Sequence, residues 1–285
     1  MPARSRSWAG RRACRHPPRL RSFPRVHLVS GLLTVVVLAA LFTGSHVWLA
    51  STTVRARLVA RLGERGFLVS YSAVAATLFA LLVNRYAIHR VSGPPGLALG
   101  GVPILRWALM TVAVSGIALA GAGIMAYPRL PSALFNQPIR SPYGIERISR
   151  HPFFAGLALF AGAHVVLATR LVGAVFFVAL MLLAIVGARH QDRKLADRRG
   201  EAYDAYLAAT SFWPFAARLR GGPVVARELP WFALAGGVAV ALGLRDVHAS
   251  LFDHDGAWVI TAVIGGAALA STNAWRRRPR VRATR

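Results

Sequence analysis

Cysteine is almost missing from this chain: Cys14 stands alone among 285 residues. One thiol closes no internal disulfide and builds no cysteine-based metal cage, which excludes disulfide scaffolds, zinc ribbons and iron–sulfur centres. Acidic residues are scarce as well, 10 Asp and Glu against 35 Lys and Arg. No alternating apolar and polar stretch is long enough to make a sheet, and no glycine-rich loop follows a strand, so P-loop and dinucleotide-binding folds have no support. No internal repeat is visible.

What the chain has in excess is apolar residues, 55% of the total with a mean hydropathy of +0.47. They gather in runs at roughly 28–53, 67–83, 105–127, 153–169, 171–188, 231–244 (extending toward 252) and 257–274. Several approach the roughly 20 residues that span a bilayer as a helix. The expected fold is all-α: a polytopic integral membrane helical bundle with six to seven transmembrane helices. The lipid bilayer is its first partner.

A formal charge of +25 invites a nucleic-acid reading. The placement of the charges argues against it, because Arg and Lys lie between and around the apolar runs. With seven spans, alternate connections hold Arg55, Arg57, Arg61 and Arg65, then Arg129, Arg140, Arg147 and Arg150, then eight basic residues of 189–229, then six arginines of 276–285. The opposite set holds Arg85, Arg90 and Arg106, then Arg170, then Arg245 beside Asp246, Asp253 and Asp255. The richer set belongs in the cytoplasm by the positive-inside rule, in what would be a bacterial cytoplasmic membrane. Residues 1–26 carry eight arginines on the wrong side of this alternation. They are read as a disordered basic leader or a misassigned start, followed by a transmembrane domain at 27–252 and an extra helix and basic tail at 253–285.

Two histidines, His46 and His164, fall well inside apolar runs. A polar ring in hydrocarbon is costly unless something pairs with it, so such residues mark functional sites by default. The simpler alternative is that each bonds a backbone carbonyl or a Ser of a neighbouring helix. Counted at about 1.5 Å per residue from Arg55 and Arg150, they lie about 13 and 21 Å deep, on either side of the midplane of a core about 30 Å thick. His89, His190 and His254 fall in loops and read as solvated, while His248 flanks the last long run.

The most specific segment is 141–215. Pro142-Tyr143-Gly144-Ile145-Glu146-Arg147-Ile148-Ser149-Arg150-His151-Pro152 opens one span, and a tight turn at Arg170 leads into the next. That second span ends in Arg189-His190-Gln191-Asp192-Arg193-Lys194, followed by Gly200-Glu201-Ala202-Tyr203-Asp204-Ala205-Tyr206. Pro152 suits the first turn of a helix, where its missing N–H costs nothing. With almost no loop between them the two spans form an antiparallel hairpin, which returns 189–206 to the mouth occupied by Arg150 and His151.

This block, with Gly44-Ser45-His46, Arg55-Ala56-Arg57-Leu58, Leu62-Gly63-Glu64-Arg65-Gly66, Tyr71-Ser72 and Val247-His248, resembles the NnrU family over about residues 31–250. That family is related to the 15-cis-zeta-carotene isomerases and distantly to the isoprenylcysteine carboxyl methyltransferases. The resemblance implies haem b, with His46 and His164 as axial ligands, and a role in nitric oxide and denitrification metabolism or carotenoid-isomerase-like chemistry on a hydrophobic small molecule. Neutral imidazole suits iron, and an apolar bundle provides a dry pocket. Where the isomerase relatives offer a cysteine three residues before the second histidine, this chain has Ala161. The methyltransferase relatives imply a rival reading, S-adenosylmethionine bound at the cytoplasmic face by Arg150, His151, Glu201, Tyr203 and Tyr206. A third reading is an accessory membrane protein without chemistry of its own.

Overall fold

Long apolar runs fold as helices because every backbone polar group must find its partner inside the segment when no water is at hand. The computed structural model describes residues 25–126, 138–253 and 255–262, and among these every regular element is helical. Helix α1 spans Arg25–Ala50, α2 Thr52–His89, α3 Pro103–Met125, α4 Pro152–Leu167, α5 Leu171–Arg199, α6 Glu201–Ala209, α7 Ala216–Leu219 and α8 Trp231–Asp246. The leader up to residue 24 and most of the run 257–274 lie outside the described residues.

Four of these helices are long and apolar enough to cross a membrane: Gly31–Ala50 of α1, all of α2, α3 and α5. Helices α4 and α8, expected as spans, have 16 residues each. At about 1.5 Å per residue each is about 24 Å long, short of a hydrocarbon core of about 30 Å. The chain stays apolar past α8 but does not stay helical, turning instead through 247–253.

Sequence punctuation sets the boundaries. Ser51 separates α1 from α2 with an extended backbone. Gly63, at φ 70° and ψ 167°, breaks α2 into a basic segment ahead of the break and an apolar one behind it. Only glycine adopts that conformation readily. Arg55 and Glu64 form an ion pair across the break. Pro103 and Pro152 open α3 and α4 at positions that need no N–H. The α4–α5 turn is held by residues 94–98, where Gly96 N–H donates to the Thr169 carbonyl and Ala98 N–H to the Ala168 carbonyl, each at 3.0 Å.

The packing order across the bundle runs α2, α1, α5, α4, α3, α8. Small residues decide the closest of these contacts. A side-chain carbon added to Gly116 of α3 would stand 2.6 Å from the Gly156 carbonyl oxygen of α4, and one on Gly156 would collide with Gly116 in return. Backbones that close gain dispersion and weak polar contacts, which drive helix association where lipid is as apolar as leucine. On the other side of the molecule Val35, Phe42, Phe79, Leu82, Val172 and Phe176 form a larger side-chain core between α1, α2 and α5.

Candidate functional site

Helix α5 runs past its apolar part, so residues 189–199 project from the bundle on the side where α4 begins. The hairpin therefore places Asp192 beside Arg150 and His151, as the short turn required. Asp192 is the hub of this mouth. One carboxylate oxygen accepts from Arg150 Nε at 3.0 Å and Nη2 at 2.8 Å; the other accepts from His151 Nε2 at 2.6 Å and the Tyr203 hydroxyl at 2.7 Å. Backbone bonds fix the frame: Arg150 N–H to the Ser211 carbonyl at 2.8 Å and Phe215 N–H to the Ile148 carbonyl at 2.9 Å. Ser149 Oγ adds a bond to the Phe212 carbonyl at 2.7 Å.

Burial would raise the Asp192 carboxyl, but the bonds from His151, Arg150 and Tyr203 outweigh it and hold the group down to about 2. The same contact acts in reverse on Tyr203: burial first, then the carboxylate that its hydroxyl serves, push the phenol above its ordinary range. Below this hub, Glu146 is buried and accepts from Arg140 through both oxygens, at 2.9 and 3.0 Å, and from Tyr143 N–H at 2.9 Å. Tyr206 stacks on Tyr203, its ring centroid 5.6 Å away, and its hydroxyl has no hydrogen-bond partner among the described residues.

Of the five residues expected to hold a cofactor at this face, Arg150, His151 and Tyr203 meet on one carboxylate and Tyr206 packs beside them. Glu201 does not join them. It sits exposed in the first turn of α6 and makes none of these bonds. The carboxylate at the centre is Asp192, which its sequence motif does not distinguish from its neighbours. Because Arg150 and His151 already serve Asp192 and are largely buried, the cluster is built as an internal clamp that ties α4, α5 and α6 together.

The intramembrane histidines occupy two separate settings. His164, one turn from the end of α4, directs Nδ1 to the Phe160 carbonyl at 2.8 Å. Its ring lies 4.2 Å from Phe160, 4.6 Å from Phe177 and 6.2 Å from His248 between centroids. His46 lies between Phe42 and Tyr71, with centroids 5.3 and 5.1 Å away, and its Nδ1 is buried without a partner among the described residues. The backbone-carbonyl alternative thus applies to His164.

Their relative depth can be read along α5. His190 Nε2 and Lys194 Nζ both bond the Ala50 carbonyl at the end of α1, at 2.8 and 2.6 Å, so Ala50 is level with His190. Helices α1 and α5 run the same way, which sets His46 level with residue 186. His164 is level with Phe177. Nine residues of rise separate the two, about 13 Å. Two histidines on one iron bring their ring nitrogens to about 4 Å and their α-carbons to about 13 Å. Here α5 packs between α1 and α4, so its width adds to that rise, and the rings of His46 and His164 share no aromatic neighbour.

Between α1 and α5 an open, apolar groove is lined by Ala39, Ala40, Gly44, Ala174, Val178 and Leu182. Among the described residues no group of three or more His, Cys, Asp and Glu gathers as a metal cage.

Comparison with known proteins agrees with the motif reading. The family described as NnrU protein matches residues 34–255. The chain is 28% identical over 200 residues to the chloroplastic 15-cis-zeta-carotene isomerase of Arabidopsis thaliana, covering 66% of this chain and 52% of that protein. The chloroplastic 15-cis-zeta-carotene isomerase of Zea mays is 25% identical over 195 residues, covering 66% and 51%. The chain thus spans about half the length of these curated relatives. No solved structure matches it significantly.

Proposed function

Because the chain belongs to the NnrU family, we propose that it acts inside the bilayer on a long apolar molecule, in isomerase-like chemistry linked to a haem b bound through His164. The observation that carries this reading is the setting of His164. A carbonyl bond at Nδ1 fixes the tautomer and leaves Nε2 for a metal, within an aromatic and apolar box. A haem there supplies electron transfer and a position for a small ligand such as nitric oxide.

The chain's own residues carry the remainder. The α1–α5 groove offers a path for an extended hydrocarbon, since its lining is small, apolar and open to lipid. The similarity to proteins named for a cis-carotene substrate favours a polyene as the occupant. The concentration of Arg and Lys at the Asp192 end favours placing that face inward, in what we propose is a bacterial cytoplasmic membrane.

Methyl transfer from S-adenosylmethionine is the weaker reading: its anionic end would have to displace Asp192 from Arg150 and His151. Purified protein tests both. A Soret band in the detergent extract, together with conversion of added 15-cis-zeta-carotene followed by chromatography of its isomers, is the expected result. A colourless protein inert toward the polyene contradicts the proposal, and binding of S-adenosylmethionine by that colourless protein supports the rival. Neither activity leaves the accessory role.

A further inference from the structure

The groove between α1 and α5 points at two arginines. On α5 its lining residues Ala174, Val178 and Leu182 recur every four residues, and the same helical stripe, continued seven and eleven residues past Leu182, carries Arg189 and Arg193. Arg189 stands about 10 Å along the axis from Leu182. The apolar part of α5, residues 171–188, is about 27 Å long, close to a hydrocarbon core of about 30 Å, so Arg189 emerges at the level of the lipid headgroups. Both arginines are exposed, and neither forms an ion pair among the described residues. The cations between and beside them are engaged: His190 and Lys194 bond the Ala50 carbonyl. Asp192 is held in the clamp with Arg150, His151 and Tyr203, so it does not neutralise them.

Membrane orientation accounts for positive charge at this end of the bundle, but not for its register with the groove. A neutral hydrocarbon gives two guanidinium groups nothing to meet. Depth argues against an ordinary phospholipid: from Arg189 the groove continues to Leu171, about 27 Å down, whereas a leaflet of the same membrane is about 15 Å deep. A groove between two helices also takes one chain rather than two. We infer that the α1–α5 groove, with Arg189 and Arg193 above it, binds a single-chain lipid phosphate of the isoprenyl phosphate type. The chain lies against Ala40, Gly44, Val178 and Leu182, and the phosphate accepts charge-assisted hydrogen bonds from the two arginines. This inference takes from the function proposed above only the groove as a path for a long hydrocarbon; it needs neither haem nor isomerisation.

The test uses the full-length protein in a neutral detergent with radiolabelled geranylgeranyl phosphate as the probe. Unlabelled geranylgeraniol, phosphatidylglycerol and inorganic phosphate serve as competitors. The variants are the pair Arg189→Gln with Arg193→Gln, the groove-filling Gly44→Leu, and a control pair, Arg218→Gln with Arg227→Gln, which removes the same charge from exposed positions at the same end but away from the groove. Thermal unfolding reports whether each is folded. The expected result is that the 189/193 pair and Gly44→Leu each bind the probe about tenfold or more weakly than wild type, while the control pair binds it unchanged. Each competitor should displace the probe about tenfold or more weakly than unlabelled geranylgeranyl phosphate does. Equal loss in the control pair, wild-type binding by the 189/193 pair or by Gly44→Leu, equal competition by any of the three competitors, or a wild-type protein that does not bind the probe overturns the inference. None of these readouts uses pigment or polyene conversion, so such a failure leaves the proposed function to its own test.

Discussion

Asp192 accepts a 2.6 Å hydrogen bond from His151 Nε2, joining the start of α4 to the projecting end of α5. The same carboxylate holds Arg150 and Tyr203, so one side chain ties three helices. Removing one partner of a buried charged pair leaves the other uncompensated. Asp192→Asn is expected to cost about 3 kcal/mol and to lower Tm clearly. Glu201→Gln, on the exposed outer face of α6, should change stability by less than about 0.5 kcal/mol. Thermal unfolding in detergent checks both, and a larger loss in Glu201→Gln would contradict the assignment of the hub.

The Asp192 carboxyl is depressed from 3.8 to about 2, which gives its contribution a definite pH window. A depressed carboxylate stabilises the fold fully above its unfolded value and loses that contribution as pH falls toward the folded one. Wild-type protein should therefore lose stability between about pH 4 and pH 2 more steeply than Asp192→Asn, measured as Tm against pH. Parallel curves would show that the carboxylate is not held as described.

The α3–α4 contact depends on the absence of side chains. Gly156→Leu should separate the two helices and destabilise the protein by about 2 kcal/mol, or prevent folding. Gly44→Leu is the contrasting case, because nothing lies within 4 Å of a side-chain carbon at that position. It should leave Tm unchanged while filling the α1–α5 groove, and so should reduce conversion of an added polyene. Unchanged conversion in folded Gly44→Leu would remove the groove from the account.

Orientation in the membrane follows from charge alone and is directly checkable. On a Cys14→Ser background, Asp204→Cys in α6 and Ala249→Cys after α8 are both exposed positions on opposite sides. In intact bacterial cells an impermeant thiol reagent should label position 249 and reach position 204 only after lysis. The reverse pattern would invert the topology.

Much of the architecture was legible in the amino-acid order. The tight turn at Arg170 forces a hairpin, and the hairpin brings Arg150 and His151 to Tyr203. Asp192 was harder to recognise, because nothing in the sequence distinguishes a hub carboxylate from the acid of a surface pair. Glu201 illustrates the converse: motif position suggested a role, but α6 starts at that residue and presents it outward. The level of His46 is not legible from the nearest arginine, because the end of α1 at Ala50 and its bonds to α5 set it. The proximity of His248 to His164 depends on how the turn after α8 folds back, which no periodicity encodes.

The separation of His46 from His164 is the claim on which the metal assignment turns. Its most direct test is the dipolar distance between spin labels at positions 46 and 164, measured by electron paramagnetic resonance in lipid on the Cys14→Ser background. Axial offset alone is about 13 Å, and α5, with about 8–10 Å to each neighbouring axis, stands between α1 and α4, so the account predicts a backbone distance beyond about 18 Å. A distance of about 13 Å or less, as the backbones of two ligands of one iron would give, contradicts it.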